Sequence, residues 1–210
     1  MTAVKICGIR TPEDALVAAE AGADLLGFVF YPRSPRAVQP QEAQAIVQFL
    51  RRRYPQVRCV GVFVGEPVQV VRQVVQECGL HAAQLHGGEP PETVSQLVEE
   101  GIPVIKAFRV RERADLEGIA AFRPTLVLLD AYDPWHPGGT GRTFDWRWLN
   151  EASLPAPLLL AGGLTPLNVA RAIRQVRPWG VDVSSGVERA PGCKDPLKVR
   201  RFVAAAKAAS

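Results

Sequence analysis

Two turns in this sequence are built to receive an anion. Gly162-Gly163-Leu164-Thr165-Pro166 and Ser184-Ser185-Gly186-Val187-Glu188 each follow a short apolar run. Small residues at such places let backbone N–H groups close on a phosphate. One turn alone reads equally well as a tight reversal of the chain; the two together favour phosphate. Arg36 lies in YPRSPRAV, a loop stiffened by Pro32 and Pro35, where a guanidinium can grip a carboxylate through two parallel hydrogen bonds. Taken alone, it fits a solvated loop arginine better. Cys7 and Asp130 stand at the ends of the runs AVKI and TLVLL. The carboxyl end of a strand is where α/β folds do their chemistry. By itself, though, Cys7 is more readily a buried structural thiol, and Asp130 is as readily a turn residue bonding nearby backbone. His86 follows another such run and reads as a ligand contact or as a structural histidine.

These residues have meaning only if the elements around them bring them to one edge. Strand-like apolar runs recur along the chain: AVKI before Cys7, then 24–30, 58–64, 82–85, 103–108, 125–130, 158–162 and 180–184. Their near-continuous apolar character suits parallel strands covered on both faces. Helical segments alternate with them. Thr11 and Pro12 supply an N-cap and a first-turn proline. Residues 40–53 carry Ala43, Ile46, Val47 and Leu50 at helical spacing and end on Arg51-Arg52-Arg53, where cations suit the helix dipole. Residues 67–78, 90–99, 166–176 and 196–209 follow the same plan, and Gly22, Gly79 and Gly101 sit just past last turns. Residues 109–123 are short and highly charged, so no regular helix is expected there. Eight β/α alternations in 210 residues predict a single-domain α/β protein, a (βα)8 TIM barrel over 1–210. An open doubly wound sheet is the alternative, its Rossmann form disfavoured because no GxGxxG follows the first strand.

Composition narrows the class. At 47% hydrophobic residues the chain can bury one sizeable core, and a net charge of +4 with scattered basic residues gives no nucleic-acid stripe. The cysteines at 7, 59, 78 and 193 form no CxxC pair, and His81, His86 and His136 have no metal-ligand spacing. No apolar run reaches membrane-spanning length and no signal peptide precedes the first strand, so the expected location is cytoplasmic.

Ordered segments then resemble those of the phosphoribosylanthranilate isomerase family. They are KICGI at 5–9, FVF and SPRAV within 28–38, GVFV at 61–64, QLHG at 84–87, LLDA at 128–131, GGTGRTFDW at 138–146, LAGGLTPLNV at 160–169 and GVDVSSGVE at 180–188. Arg142 stands where lysine is more familiar, and Cys193 interrupts the basic end of the APGxKD segment. The resemblance implies a barrel enzyme of tryptophan biosynthesis with no metal or organic cofactor, a small phosphorylated substrate, no nucleic-acid or membrane partner, and a monomeric or homodimeric state. It implies an Amadori rearrangement with Cys7 as general base and Asp130 as general acid. Arg36, Gly162, Gly163, Asp182, Ser184, Ser185 and Gly186 are the implied substrate contacts, Arg36 for the anthranilate carboxylate and the glycine and serine loops for the phosphate. Thiolate and neutral carboxyl reverse the ordinary charge states. Strand alternation puts Lys5 on the face of Cys7, where its charge is expected to favour the thiolate. A bifunctional sugar-phosphate isomerase acting also in histidine biosynthesis would be expected to use paired aspartates instead. A non-catalytic anion-binding barrel would have no need of Cys7 and Asp130.

Overall fold

The apolar runs pair as their composition predicts. A computed structural model describes residues 1–131 and 144–209. Its strands are β1 Ala3–Cys7, β2 Leu25–Val29, β3 Arg58–Phe63, β4 Ala82–Leu85, β5 Val104–Val110, β6 Leu126–Ala131, β7 Leu158–Leu160 and β8 Gly180–Val183. They join in sequence order into a closed barrel. Its last seam is the parallel pairing of β1 with β8, which sets Lys5 beside Asp182. Helices α1 Pro12–Glu20, α2 Pro40–Arg53, α3 Val68–Cys78, α4 Pro91–Glu99, α5 Val169–Val176 and α6 Pro196–Ala208 cover the outside.

Strand alternation divides the apolar residues into two cores. Leu25, Val60, Ile105, Leu128 and Leu159 fill the barrel itself. Ile6, Leu26, Phe28, Phe63 and Leu85 point the other way and pack with Ile46, Leu50, Val71, Leu97 and Phe202 of the helices. Each such side chain contributes about 1.5–3 kcal/mol on full burial. The caps hold as well. Thr11 Oγ1 accepts from the Asp14 N–H at 3.1 Å, and α3 ends at Gly79, whose φ of 67° is left-handed.

Local features add to or depart from the sequence pattern. The helix after β7 starts at Val169 rather than Pro166. Asn168 ties the preceding turn to itself, accepting from the Thr165 N–H at 2.8 Å and donating to the Gly163 carbonyl at 2.9 Å. In residues 109–123, where no regular helix is expected, β5 runs on to Val110 and a 3-10 helix, Arg113–Ala121, follows. A second 3-10 helix, Trp146–Glu151, precedes β7. Beyond β8, Glu188–Ala190 and Cys193–Lys194 form a small antiparallel hairpin, β9 and β10, with no counterpart in the sequence reading. Among the described residues no helix is long and apolar enough to cross a membrane.

Candidate active site

The carboxyl rim of the barrel gathers the residues singled out above. Cys7 is the last inward-facing residue of β1 and packs with Val29 and Val62. Beneath it lies Lys5, fully buried, with its Nζ 2.8 Å from Asp182 Oδ1. Asp182 is thus the floor of the site, paired with Lys5. Burial pushes the Cys7 thiol above its ordinary value, Asp182 adds to that push, and Lys5 and Lys194 pull it back. Lys5 occupies the expected face and acts in the expected direction. Its charge favours the thiolate, and the desolvation of the buried sulfur is the larger effect.

Arg36 comes to lie beside Cys7 from the loop after β2. A Cβ on Gly8 would meet Arg36 Cδ at 2.8 Å and Ser184 Oγ at 3.2 Å, so the arginine stem lies directly on the backbone next to Cys7. Gly8 has a φ of 79°, which leaves glycine the natural residue there. The guanidinium is held by Glu188, with Nε to Oε1 and Nη2 to Oε2 both at 2.8 Å. Lys194 Nζ donates to Glu188 Oε1 at 2.9 Å and to the Ser184 carbonyl at 3.2 Å. The Ser184 hydroxyl is buried and has no hydrogen-bond partner among the described residues.

Asp130 enters from the opposite side of the rim. Leu128 faces the barrel interior, so alternation turns Asp130 inward as well. Strands β1 and β6 are three steps apart around the closed ring. Among the described residues no hydrogen bond joins Cys7 and Asp130. Instead, Asp130 Oδ2 lies 3.4 Å from His86 Nε2, and His86 Nδ1 lies 3.0 Å from Gln84 Nε2. The β4 loop carrying His86 is anchored by a buried ion pair, Lys106 Nζ to Glu89 Oε2 at 2.8 Å, while Glu89 also accepts from the Gly65 N–H at 2.8 Å. A cavity of about 570 Å³ opens beside His86 and Arg109, walled by Glu89, Lys106 and Phe122. It lies beside the His86–Asp130 contact, and Cys7, Arg36 and Asp130 do not line it.

The two anion-suited turns are fitted to their neighbours by missing side chains. A Cβ on Gly162 would overlap the backbone of Ala131, and one on Gly186 would overlap the Leu164 carbonyl. Gly162 and Gly163 both take left-handed backbone, with φ of 83° and 63°. Ser184 and Ser185 follow β8 and lead into a 3-10 turn, Ser185–Val187. The glycines 138, 139 and 141, with His136 and Arg142, lie outside the described residues.

Comparison with known proteins settles the family. The profile of N-(5'-phosphoribosyl)anthranilate (PRA) isomerase matches residues 4–205. The chain belongs to the phosphoribosylanthranilate isomerase family. It is 53% identical over 210 residues to N-(5'-phosphoribosyl)anthranilate isomerase of Trichlorobacter lovleyi, covering 100% of both chains. The crystal structure of the Thermotoga maritima phosphoribosyl anthranilate isomerase is similar at a TM-score of 0.90 and 43% identity, covering 99% of this chain and 100% of that one. A further isomerase of the family, solved in complex with reduced 1-(o-carboxyphenylamino)-1-deoxyribulose 5-phosphate, matches at a TM-score of 0.86 and 42% identity, covering 99% of this chain and 100% of that one. The expected fold and the expected isomerase class both stand.

Sequence reading gave no role to Glu188, Lys194, Gln84 or the Lys106–Glu89 pair. Glu188 and Lys194 do fall within the family-like segments at the end of the chain. What would have drawn attention to them is a carboxylate just after the second anion-suited turn, with a lysine six residues on.

Proposed function

We propose that this isomerase converts N-(5-phosphoribosyl)anthranilate to 1-(2-carboxyphenylamino)-1-deoxyribulose 5-phosphate by an Amadori rearrangement, with Cys7 as general base and Asp130 as general acid. Asp130 donates a proton to the ribose ring oxygen as the ring opens, leaving a carboxylate on the enzyme and an iminium on the substrate. Cys7, as thiolate, removes the proton from the carbon next to the iminium. The electron pair released neutralises the nitrogen and gives an enolamine, which ketonises. Burial holds the resting Cys7 toward its thiol form, and Lys5 partly offsets this. A developing iminium adds a further positive charge near the sulfur, favouring the thiolate at the step that uses it. Lys5 supports the base from below, held in place by Asp182.

Arg36 takes the anthranilate carboxylate. Gly162, Gly163, Ser184, Ser185 and Gly186 take the phosphate, with the unpartnered Ser184 hydroxyl as a donor. The observation that carries this reading is the position of Cys7 and Asp130 at inward-facing ends of strands three steps apart around the ring, unbonded to each other. A cytoplasmic location and a monomeric or homodimeric state complete it, supported by a Thermotoga maritima relative described as dimeric and also obtained as monomers. Turnover of N-(5-phosphoribosyl)anthranilate, followed by the change in anthranilate fluorescence, is the test. A purified, folded chain without that activity would overturn the proposal.

A further inference from the structure

We propose that Glu188 is a positioning residue: it aims Arg36 at the carboxylate on the aromatic ring of the substrate. The inference rests on the assignment of Arg36 made above and adds what orients it. A guanidinium is a planar fork of five N–H donors with two edges that can each hold a carboxylate. Glu188 takes the side edge, made by Nε and Nη2, with both contacts at 2.8 Å. The end edge, made by Nη1 and the second Nη2 hydrogen, remains for another carboxylate. Among the described residues Nη1 has no hydrogen-bond partner.

The surroundings fix which way that end edge faces. The stem lies on the backbone of Gly8, beside Cys7 and Ser184. Glu188 is itself immobilised, its carboxylate by Lys194 at 2.9 Å and its carbonyl by Lys198 at 2.7 Å. The side chains of Glu188 and Lys194 are 5% and 1% exposed, whereas that of Arg36 keeps 13%. The open part of the cluster is therefore the arginine. Arg36 and Lys194 share the one Glu188 carboxylate, so positive charge is left over to meet a bound carboxylate. Without Glu188 the guanidinium keeps its charge and loses its aim.

The test compares reduced 1-(o-carboxyphenylamino)-1-deoxyribulose 5-phosphate with its counterpart lacking the ring carboxylate, as competitive inhibitors of the wild type, Glu188→Gln, Glu188→Asp and Arg36→Met. The wild type prefers the carboxylated compound. Glu188→Gln should lower that preference roughly tenfold and raise KM for substrate similarly, with kcat changed less than about threefold, as expected for one misdirected charge-assisted bond. Glu188→Asp keeps the charge and withdraws it by one methylene. It should lose part of the preference, and it serves where Glu188→Gln melts too low to assay. Equal weakening of both inhibitors, or an unchanged preference in the aspartate variant, overturns the inference. If Arg36→Met loses the preference while both Glu188 variants keep it, only this inference fails. If the wild type shows no preference, the assignment of Arg36 fails with it.

Discussion

Gly27 owes its lack of a side chain to Cys7. A Cβ at Gly27 would stand 2.8 Å from the Cys7 sulfur and 3.1 Å from Lys5 Nζ, inside the contact that couples the thiol to its cation. Gly27→Ala should therefore cost about 1–3 kcal/mol in stability, the usual range for overpacking. It should lower kcat by roughly tenfold or more, because sulfur and ammonium must move apart. Thermal melts and steady-state kinetics together check it. A variant with wild-type kcat would show that the Lys5–Cys7 spacing does not matter to the reaction.

Cys7→Ala should lower turnover by at least about 10²- to 10⁴-fold, the contribution of a positioned base. Affinity for the reduced product should stay within a few-fold of wild type. Because burial holds the thiol above its ordinary value, the thiolate absorbance that distinguishes the wild type from Cys7→Ala should rise only in the alkaline range. A variant with half of wild-type activity would remove Cys7 from the mechanism.

Asp130→Asn keeps the shape of the acid but has no acidic proton to give. Ring opening should fail by roughly 10²- to 10⁴-fold while the substrate still binds. Single-turnover mixing checks this: bound substrate should persist with no open-chain imine. Rapid formation of that imine would place the proton donor elsewhere, and His86, 3.4 Å from Asp130, would be the next residue to examine.

Ser185→Asp should chiefly weaken binding, since it sets a negative charge against the proposed phosphate position. KM should rise and inhibition by inorganic phosphate should fade, with kcat changing far less. Unchanged KM with lowered turnover would contradict the phosphate assignment.

Acid should loosen the protein through two carboxylates. Burial works against the charged forms of Glu89 and Glu188, but Lys106 and the Gly65 N–H outweigh it at Glu89, and Arg36 and Lys194 do so at Glu188, leaving both below the usual glutamate range. Their folded pKa values lie below the unfolded ones, so this stabilisation is complete above the ordinary value of about 4.3 and is lost as pH falls through the folded values. Melting temperature should hold through neutral pH and drop below about pH 4. Glu89→Gln, though less stable at neutral pH, should show a shallower drop, and a drop as steep as that of the wild type would clear Glu89 of the effect.

Strand order, the barrel and the strand ends carrying Cys7 and Asp130 were legible because each is written in local pattern: apolar runs, capping residues and two-residue alternation. The clamp on Arg36 was not. Its partner is 152 residues away, and nothing local marks a loop arginine as already engaged. The Lys106–Glu89 pair was hidden for the same reason, since a lysine in an apolar run and a glutamate before two prolines say nothing of each other. The net shift of Cys7 escaped for another. Alternation reveals the cation beside the sulfur, but the depth of burial that outweighs it exists only once the barrel has closed.

Gly162 lies hard against Ala131, next to Asp130, and Gly186 lies hard against Leu164. The loops proposed for the phosphate and the strand bearing the acid are thereby fixed to one another at backbone level, with no flexible side chain between them to give way. With the phosphate and the acid placed as proposed, the barrel rim works as a calliper of set span, one jaw on the phosphate and the other on the ring oxygen. A pentose phosphate that fills the span presents its ring oxygen to the acid. A sugar one carbon longer, held by the same phosphate, would carry that oxygen past the jaw and stay closed.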